Sequence, residues 1–131
     1  MPQNPYSPFN NDLGAIVTLT AASAGGNSPD LANGQGRGVK IIVDITAISG
    51  TSATLTVTIQ GKDPASGSYY TLLAGAGLTA TGVTVMTVYP AAVVTANVSA
   101  NDHVPQFWRL LWTITGTTPS VTATLGGCIL V

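Results

Sequence analysis

His103 is the sole histidine of the chain, and Asp102 stands directly before it in the segment Asn101-Asp102-His103-Val104-Pro105. A carboxylate beside an imidazole can orient it for base catalysis or for a metal. A zinc site, however, needs three or four ligands, and a nucleophilic dyad needs a thiol or hydroxyl held by the base. With no second histidine and no cysteine nearby, a solvated loop histidine is the expectation. Cys128, the single cysteine, rules out an intramolecular disulfide and has no cationic neighbour in sequence to stabilise a thiolate. A small apolar filler is expected there, out of phase with Val121, Ala123, Leu125 and Ile129. All acidic residues are aspartates, Asp12, Asp30, Asp44, Asp63 and Asp102, and they fall on five separate segments. The close alternating carboxylates of a calcium loop do not occur, and Asp30 and Asp63-Pro64 read as the openings of turns. The run Gly34-Gln35-Gly36-Arg37-Gly38 has the texture of a phosphate loop, but a strand follows it, and a strand offers no helix N-terminus to an anion. No catalytic, cofactor-binding or metal-binding residue is assigned, and an enzyme is not expected.

The aromatic residues are the remaining source of binding chemistry. Trp108 and Trp112 share parity with Leu110 and Ile114, while Tyr69, Tyr70 and Tyr89 lie on other segments. An exposed aromatic row could stack on sugar rings, as a carbohydrate-binding module requires. Interleaving with Leu110 and Ile114 favours a core face instead.

These residues must be positioned by strands, because the periodicity from Leu13 onward is two. Leu55, Val57 and Ile59 alternate with Thr54, Thr56, Thr58 and Gln60, which gives one apolar and one hydroxyl-bearing face. Val39, Ile41, Val43, Ile45 and Ala47 repeat the pattern, and Ile42 and Ile48 on the opposite face suggest a central strand buried on both sides. Residues 13–20, 69–73, 83–89, 107–115 and 121–131 complete the set. Ser49-Gly50-Thr51-Ser52 and Gly116-Thr117-Thr118-Pro119 read as tight hairpins, and Pro64 to Ser68 as a further turn. Residues 21–38 are too long for a hairpin and read as an exposed loop crossing between sheets; residues 91–105 read as a second crossing, with a short strand or helical turn at 92–98. The segment from Ile48 to Ile59 also echoes that from Ile114 to Leu125, and a hairpin used twice is the simplest explanation. The expected fold is a single antiparallel β-sandwich, jelly-roll or Ig-like, of seven to eight strands over residues 13–131.

Residues 1–12 differ from the rest. Pro2, Pro5 and Pro8 recur at the three-residue period of polyproline II, with Tyr6 and Phe9 as apolar anchors. An extended arm and a disordered terminus both fit this composition. As an arm, Pro2, Pro5, Tyr6, Pro8 and Phe9 form the candidate interface.

Only 7% of the residues are charged, against about 25% in an ordinary domain. The four basic residues, Arg37, Lys40, Lys62 and Arg109, are scattered, which argues against nucleic acid or an anionic membrane as a partner. No apolar run reaches the roughly 18 residues of a membrane helix, and the start carries no secretory pattern, so synthesis in the cytoplasm is expected. Low charge leaves little repulsion between identical copies, and a homo-oligomer is expected. The stretch from Thr54 to Leu73, followed by Leu78-Thr-Ala-Thr-Gly, Val88-Tyr-Pro90 and Phe107-Trp-Arg-Leu110, resembles small virion proteins of tailed bacteriophages. The resemblance spans most of the chain after Arg37 and contains no catalytic signature. It implies a β-sandwich that decorates the capsid by cementing the major capsid protein, or that builds the neck or tail. The implied location is the virion, and other virion proteins are the implied partners.

Overall fold

The computed structural model of the chain describes residues 12–34 and 36–131, and every regular element among them is a β-strand. The strands are β1 (Asp12–Ala22), β2 (Gly26–Asn27), β3 (Leu31–Ala32), β4 (Gly38–Lys62), β5 (Tyr69–Ala74), β6 (Gly82–Val88), β7 (Ser99–Ala100) and β8 (Phe107–Leu130). Two of them are very long, and they pair antiparallel along nearly their whole length, from Gly38↔Leu130 to Gly61↔Trp108. This two-stranded ribbon is the spine of the molecule.

The ribbon carries two sets of flanking strands. Its Gly38 end is bordered by β1 on β8 and by β6 on β4, with β7 beyond β6. The opposite end is bordered by β5 on β4 and by β2 and β3 on β8. At each end four strands lie side by side, β1-β8-β4-β6 in what is termed the first sheet and β2/β3-β8-β4-β5 in the second. Odd-numbered residues of β4 point inward in both: Val39, Ile41, Val43 and Ile45 from the first sheet, Leu55, Val57 and Ile59 from the second. They meet Trp108, Leu110, Val121, Ala123 and Leu125 of β8 in one core, so the fold is all-β and sandwich-like. Burying one such aliphatic side chain contributes about 1.5–3 kcal/mol. The β6–β7 pair is parallel, the exception to the antiparallel arrangement among the described strands.

Several expectations need correction. Ser49-Gly50-Thr51-Ser52 and Gly116-Thr117-Thr118-Pro119 are not hairpins; Ser49 pairs with Ser120 and Thr51 with Thr117, and both chains run on. They form a double corner at which the ribbon folds over. Gly50 and Gly116 sit at φ +114° and +121°, Ser52 and Thr118 at +56° and +44°. These left-handed steps bend a strand without reversing it, and they interrupt its register. The genuine hairpin is Asp63 to Ser68, where the Asp63 main-chain N–H donates to the Ser68 carbonyl. The first half of β4 is central but is not covered on both faces: Ile42 is exposed. Residues 21–38 do cross between the sheets, but not as the exposed loop expected: β2 and β3 pair onto the second sheet and Ser28 and Asn33 are buried before β4 returns to the first. Within residues 92–98 there is neither helix nor strand; the short strand of that crossing is β7.

The pairings also reveal an internal twofold. Ile48 pairs with Val121 and Leu55 with Ile114, so the two echoing segments are partners of each other across the corner. The relation extends outward. Val17↔Leu125 and Thr18↔Thr124, with a bulge beyond Val17, match Leu73↔Ile59 and Ala74↔Thr58, with a bulge beyond Ile59. Ala22↔Val121 matches Leu78↔Leu55. Gly26↔Trp112 and Leu31↔Trp108 match Gly82↔Ile45 and Met86↔Ile41. The chain is therefore two successive β-units, β1–β2/β3–β4 and β5–β6–β8, interlocked through their long strands about a pseudo-twofold axis.

Candidate functional site

The residues with chemical potential gather on the outer face of the second sheet. Even-numbered residues of the second half of β4 point outward, which places Gln60 and Lys62 at its end, and the cross-strand register sets Arg109 opposite Gln60 and Tyr69 opposite Lys62. Asp30, between β2 and β3, reaches the same place. The Lys62 ammonium donates to Asp30 Oδ2 at 2.7 Å, and the Tyr69 hydroxyl donates to Oδ1 at 2.5 Å. Arg109 lays its guanidinium 3.5 Å from the centre of the Tyr69 ring and donates from Nε to Gln60 Oε1 at 2.9 Å. Stacking of this kind suits a planar, weakly hydrated cation.

The network is closed on itself. Lys62 first, and Tyr69 second, hold the Asp30 carboxyl below its ordinary range, and Asp30 holds the Lys62 ammonium above its own. A carboxyl depressed in the folded state contributes stability above its unfolded value and loses it as pH falls through the folded one. The stability advantage of the native chain over Asp30→Asn is therefore expected at neutral pH and should be lost as pH falls below the ordinary aspartate range and through the depressed folded value. Melting temperatures across that window check it, and an advantage that is constant with pH would overturn the role given to Asp30.

Beside the network lies a cavity of about 260 Å³, lined by Lys62, Pro64, Gly67, Pro105 and Phe107 among others. Asp63 at its edge is committed to the hairpin: its carboxylate accepts from the Ser66 hydroxyl at 2.6 Å and the Ala65 N–H at 2.9 Å, which lower its pKa. Asp63 thus opens a turn, as its sequence suggested, whereas Asp30 joins a side-chain network.

The remaining candidates separate. The Asp102 carboxylate accepts from the main-chain N–H of the exposed His103 at 2.8 Å and so serves the loop backbone. Cys128 is half-buried and sits opposite Lys40 and Asp12, outward on the first sheet and not inside the core. Trp108 is completely buried and Trp112 packs against the core, so the two indoles form no platform for sugars. The segment containing Gly36 and Gly38 leads into a strand, as expected. Among the described residues, no three His, Cys, Asp or Glu side chains converge as metal ligands, and no helix is long and apolar enough to cross a membrane. Pro2, Pro5, Tyr6, Pro8 and Phe9 lie outside the described residues.

The rest of the two outer sheet faces is mostly uncharged, with Lys40 and Asp44 as charges on the first sheet. On the second sheet, Thr54 faces Thr115 and Thr56 faces Thr113 across the ribbon, with Thr58 continuing the row. On the first sheet Thr18 faces Thr124, beside Ile42, Val83 and Val85. Neither the protein-family models, nor the curated proteins, nor the solved structures contain a match to this chain.

Proposed function

We propose that the chain is a non-enzymatic structural protein of a virion, a decoration protein that cements neighbouring major capsid subunits and works as a homo-oligomer. The observation that carries this reading is the Thr-paired outer face of the second sheet, flanked by a polar network in which Lys62 and Asp30 form an ion pair and Arg109 is held by Gln60 and the Tyr69 ring. Hydroxyls cost far less to desolvate than ions, so such a face can be covered by a protein partner at small penalty. Contacts made only by the folded state also stabilise it by mass action, which suits a protein without disulfides. The resemblance of its segment order to small phage virion proteins points the same way. A neck or tail protein is the nearest competitor, and copy number separates the two.

Quantitative mass spectrometry of purified particles, combined with imaging, tests the assignment. Copies in proportion to the major capsid protein, distributed over the shell, are expected. A small fixed number at one vertex would replace decoration by a neck or tail role, and absence from particles would overturn both.

A further inference from the structure

The outer face of the first sheet carries a pattern that is complementary to itself. Lys40, Ile42 and Asp44 point outward from β4, and the register sets Thr87, Val85 and Val83 of β6 beside them. A basic residue thus stands at one end of the row, an acidic one at the other, and Ile42 midway. Lys40 and Asp44 are about 13 Å apart along the strand, too far to pair with each other. Neither has an ion-pair partner among the described residues. Asp12, at the border of the face, lies two strands from Lys40, across Cys128. Ile42, Val83 and Val85 are 37%, 64% and 41% exposed. Beside Lys40 and Thr87 lies an open groove of about 460 Å³, lined also by Tyr89, Leu130 and Val131.

We infer that this face binds a second copy of the chain, about a twofold axis that lies in the interface and crosses β4 at Ile42. The inference deepens the homo-oligomer reading given above, on which it rests, and is independent of the virion. Charge selects the axis. Two sheets packed face to face can be related by a twofold running along the strands or across them. The first would set Lys40 on Lys40 and Asp44 on Asp44; the second sets each on its opposite. The same operation brings Ile42 onto Ile42 and Val85 onto Val85. It also lays Val83, the most exposed of the three aliphatics, over Thr87 at the groove of the other copy. Facing sheets lie about 10 Å apart and cross at about 30°, which offsets Lys40 from Asp44 by roughly 3.5 Å, within reach of a lysine side chain. The Gly14 main chain sits over Gly126, so the copies converge at β6 and open towards β1. A contact made by β4, β6 and the near side of β8 covers roughly 400 Å² on each copy, at the small end for protein interfaces. A dissociation constant of about 100 μM is therefore expected, and the dimer is populated where copies are crowded together.

The test is charge reversal in the full chain, read by sedimentation velocity over a concentration series. The native chain is expected to dimerise reversibly. Lys40→Asp alone and Asp44→Lys alone should each weaken the dimer by about tenfold or more, with circular dichroism unchanged because both side chains are partly exposed. The double variant, Lys40→Asp with Asp44→Lys, should dimerise about as tightly as the native chain. An equimolar mixture of the two single variants should form the heterodimer that neither forms with itself. Mixing does not rescue a misfolded chain, so recovery in the mixture separates a lost contact from a lost fold. A native chain that stays monomeric at about 1 mM would overturn this inference and the homo-oligomer reading together. Assemblies that are indifferent to the single reversals, or that the double reversal fails to restore, would overturn the inference and leave the homo-oligomer reading standing.

Discussion

Gly116→Ala is expected to destabilise the protein by about 3 kcal/mol, and Gly50→Ala by about the same amount. At φ +121° and +114° both positions lie in backbone conformations that a Cβ disfavours. A Cβ on Gly116 would also stand 2.8 Å from the Thr51 carbonyl oxygen and 2.9 Å from the Ala53 Cα; one on Gly50 would stand 2.7 Å from the Thr118 oxygen and 2.9 Å from the Pro119 Cα. The clashing atoms are backbone, so no side chain can swing aside. The near equality of the two costs is the sharper part of the expectation, since it follows from the pseudo-twofold alone. Denaturant unfolding of both variants checks it. A loss under about 0.5 kcal/mol in either would mean that the corner relaxes, and that it is not the rigid fold point described here.

Trp108→Ala should cost about 3–5 kcal/mol, enough to leave a domain of this size barely folded at room temperature. Trp108 is the largest of the fully buried side chains, and it lies at the end of the ribbon opposite Gly61, under the β3 crossing. Its indole Nε1 is buried with no acceptor among the described residues. Trp108→Phe removes that N–H together with part of the ring, so its cost should be limited to about 1 kcal/mol. Urea midpoints for the two variants separate packing from hydrogen bonding: if Phe costs nearly as much as Ala, the nitrogen contributes and the core reading of this position is wrong.

Much of the strand content is legible in the sequence, and the reason is the two-residue period. Leu55, Val57 and Ile59 alternate with threonines because one sheet face is core and the other is open. Tyr69 to Leu73 and residues 83–89 match β5 and β6 closely, and Trp108 reads as core from its interleaving with Leu110. The double corner is the instructive failure. A hairpin and a fold-over both call for Gly, Ser, Thr and Pro at left-handed positions, and local composition does not say whether the strand returns beside itself or continues. Only the partner decides, and Ser49 has Ser120. The echo between Ile48–Ile59 and Ile114–Leu125 was the available signal, since two copies of one corner can be each other's partner. Elsewhere the two units have drifted: Gln60 against Gly126, or Arg109 against Ile42, shows no kinship. The polar network was hidden for another reason. Asp30, Lys62, Tyr69 and Arg109 come from four segments, and only Lys62 and Tyr69, at the two ends of one hairpin, are near in sequence.

Two interlocked β-units in a single polypeptide also bear on survival under dilution. Had the units been separate chains, each would present a long strand lacking its neighbour, and their pairing would weaken as concentration fell. Joined by the short hairpin at Asp63 to Ser68, they meet at an effective concentration fixed by the linker and independent of how much protein is present. The fold of such a chain is therefore insensitive to dilution. The covalent link also frees the two outer faces to change separately, because a mutation in one unit is no longer copied into the other. The two faces could diverge, as Gln60 and Arg109 against Gly126 and Ile42 show, a freedom closed to a dimer of identical chains.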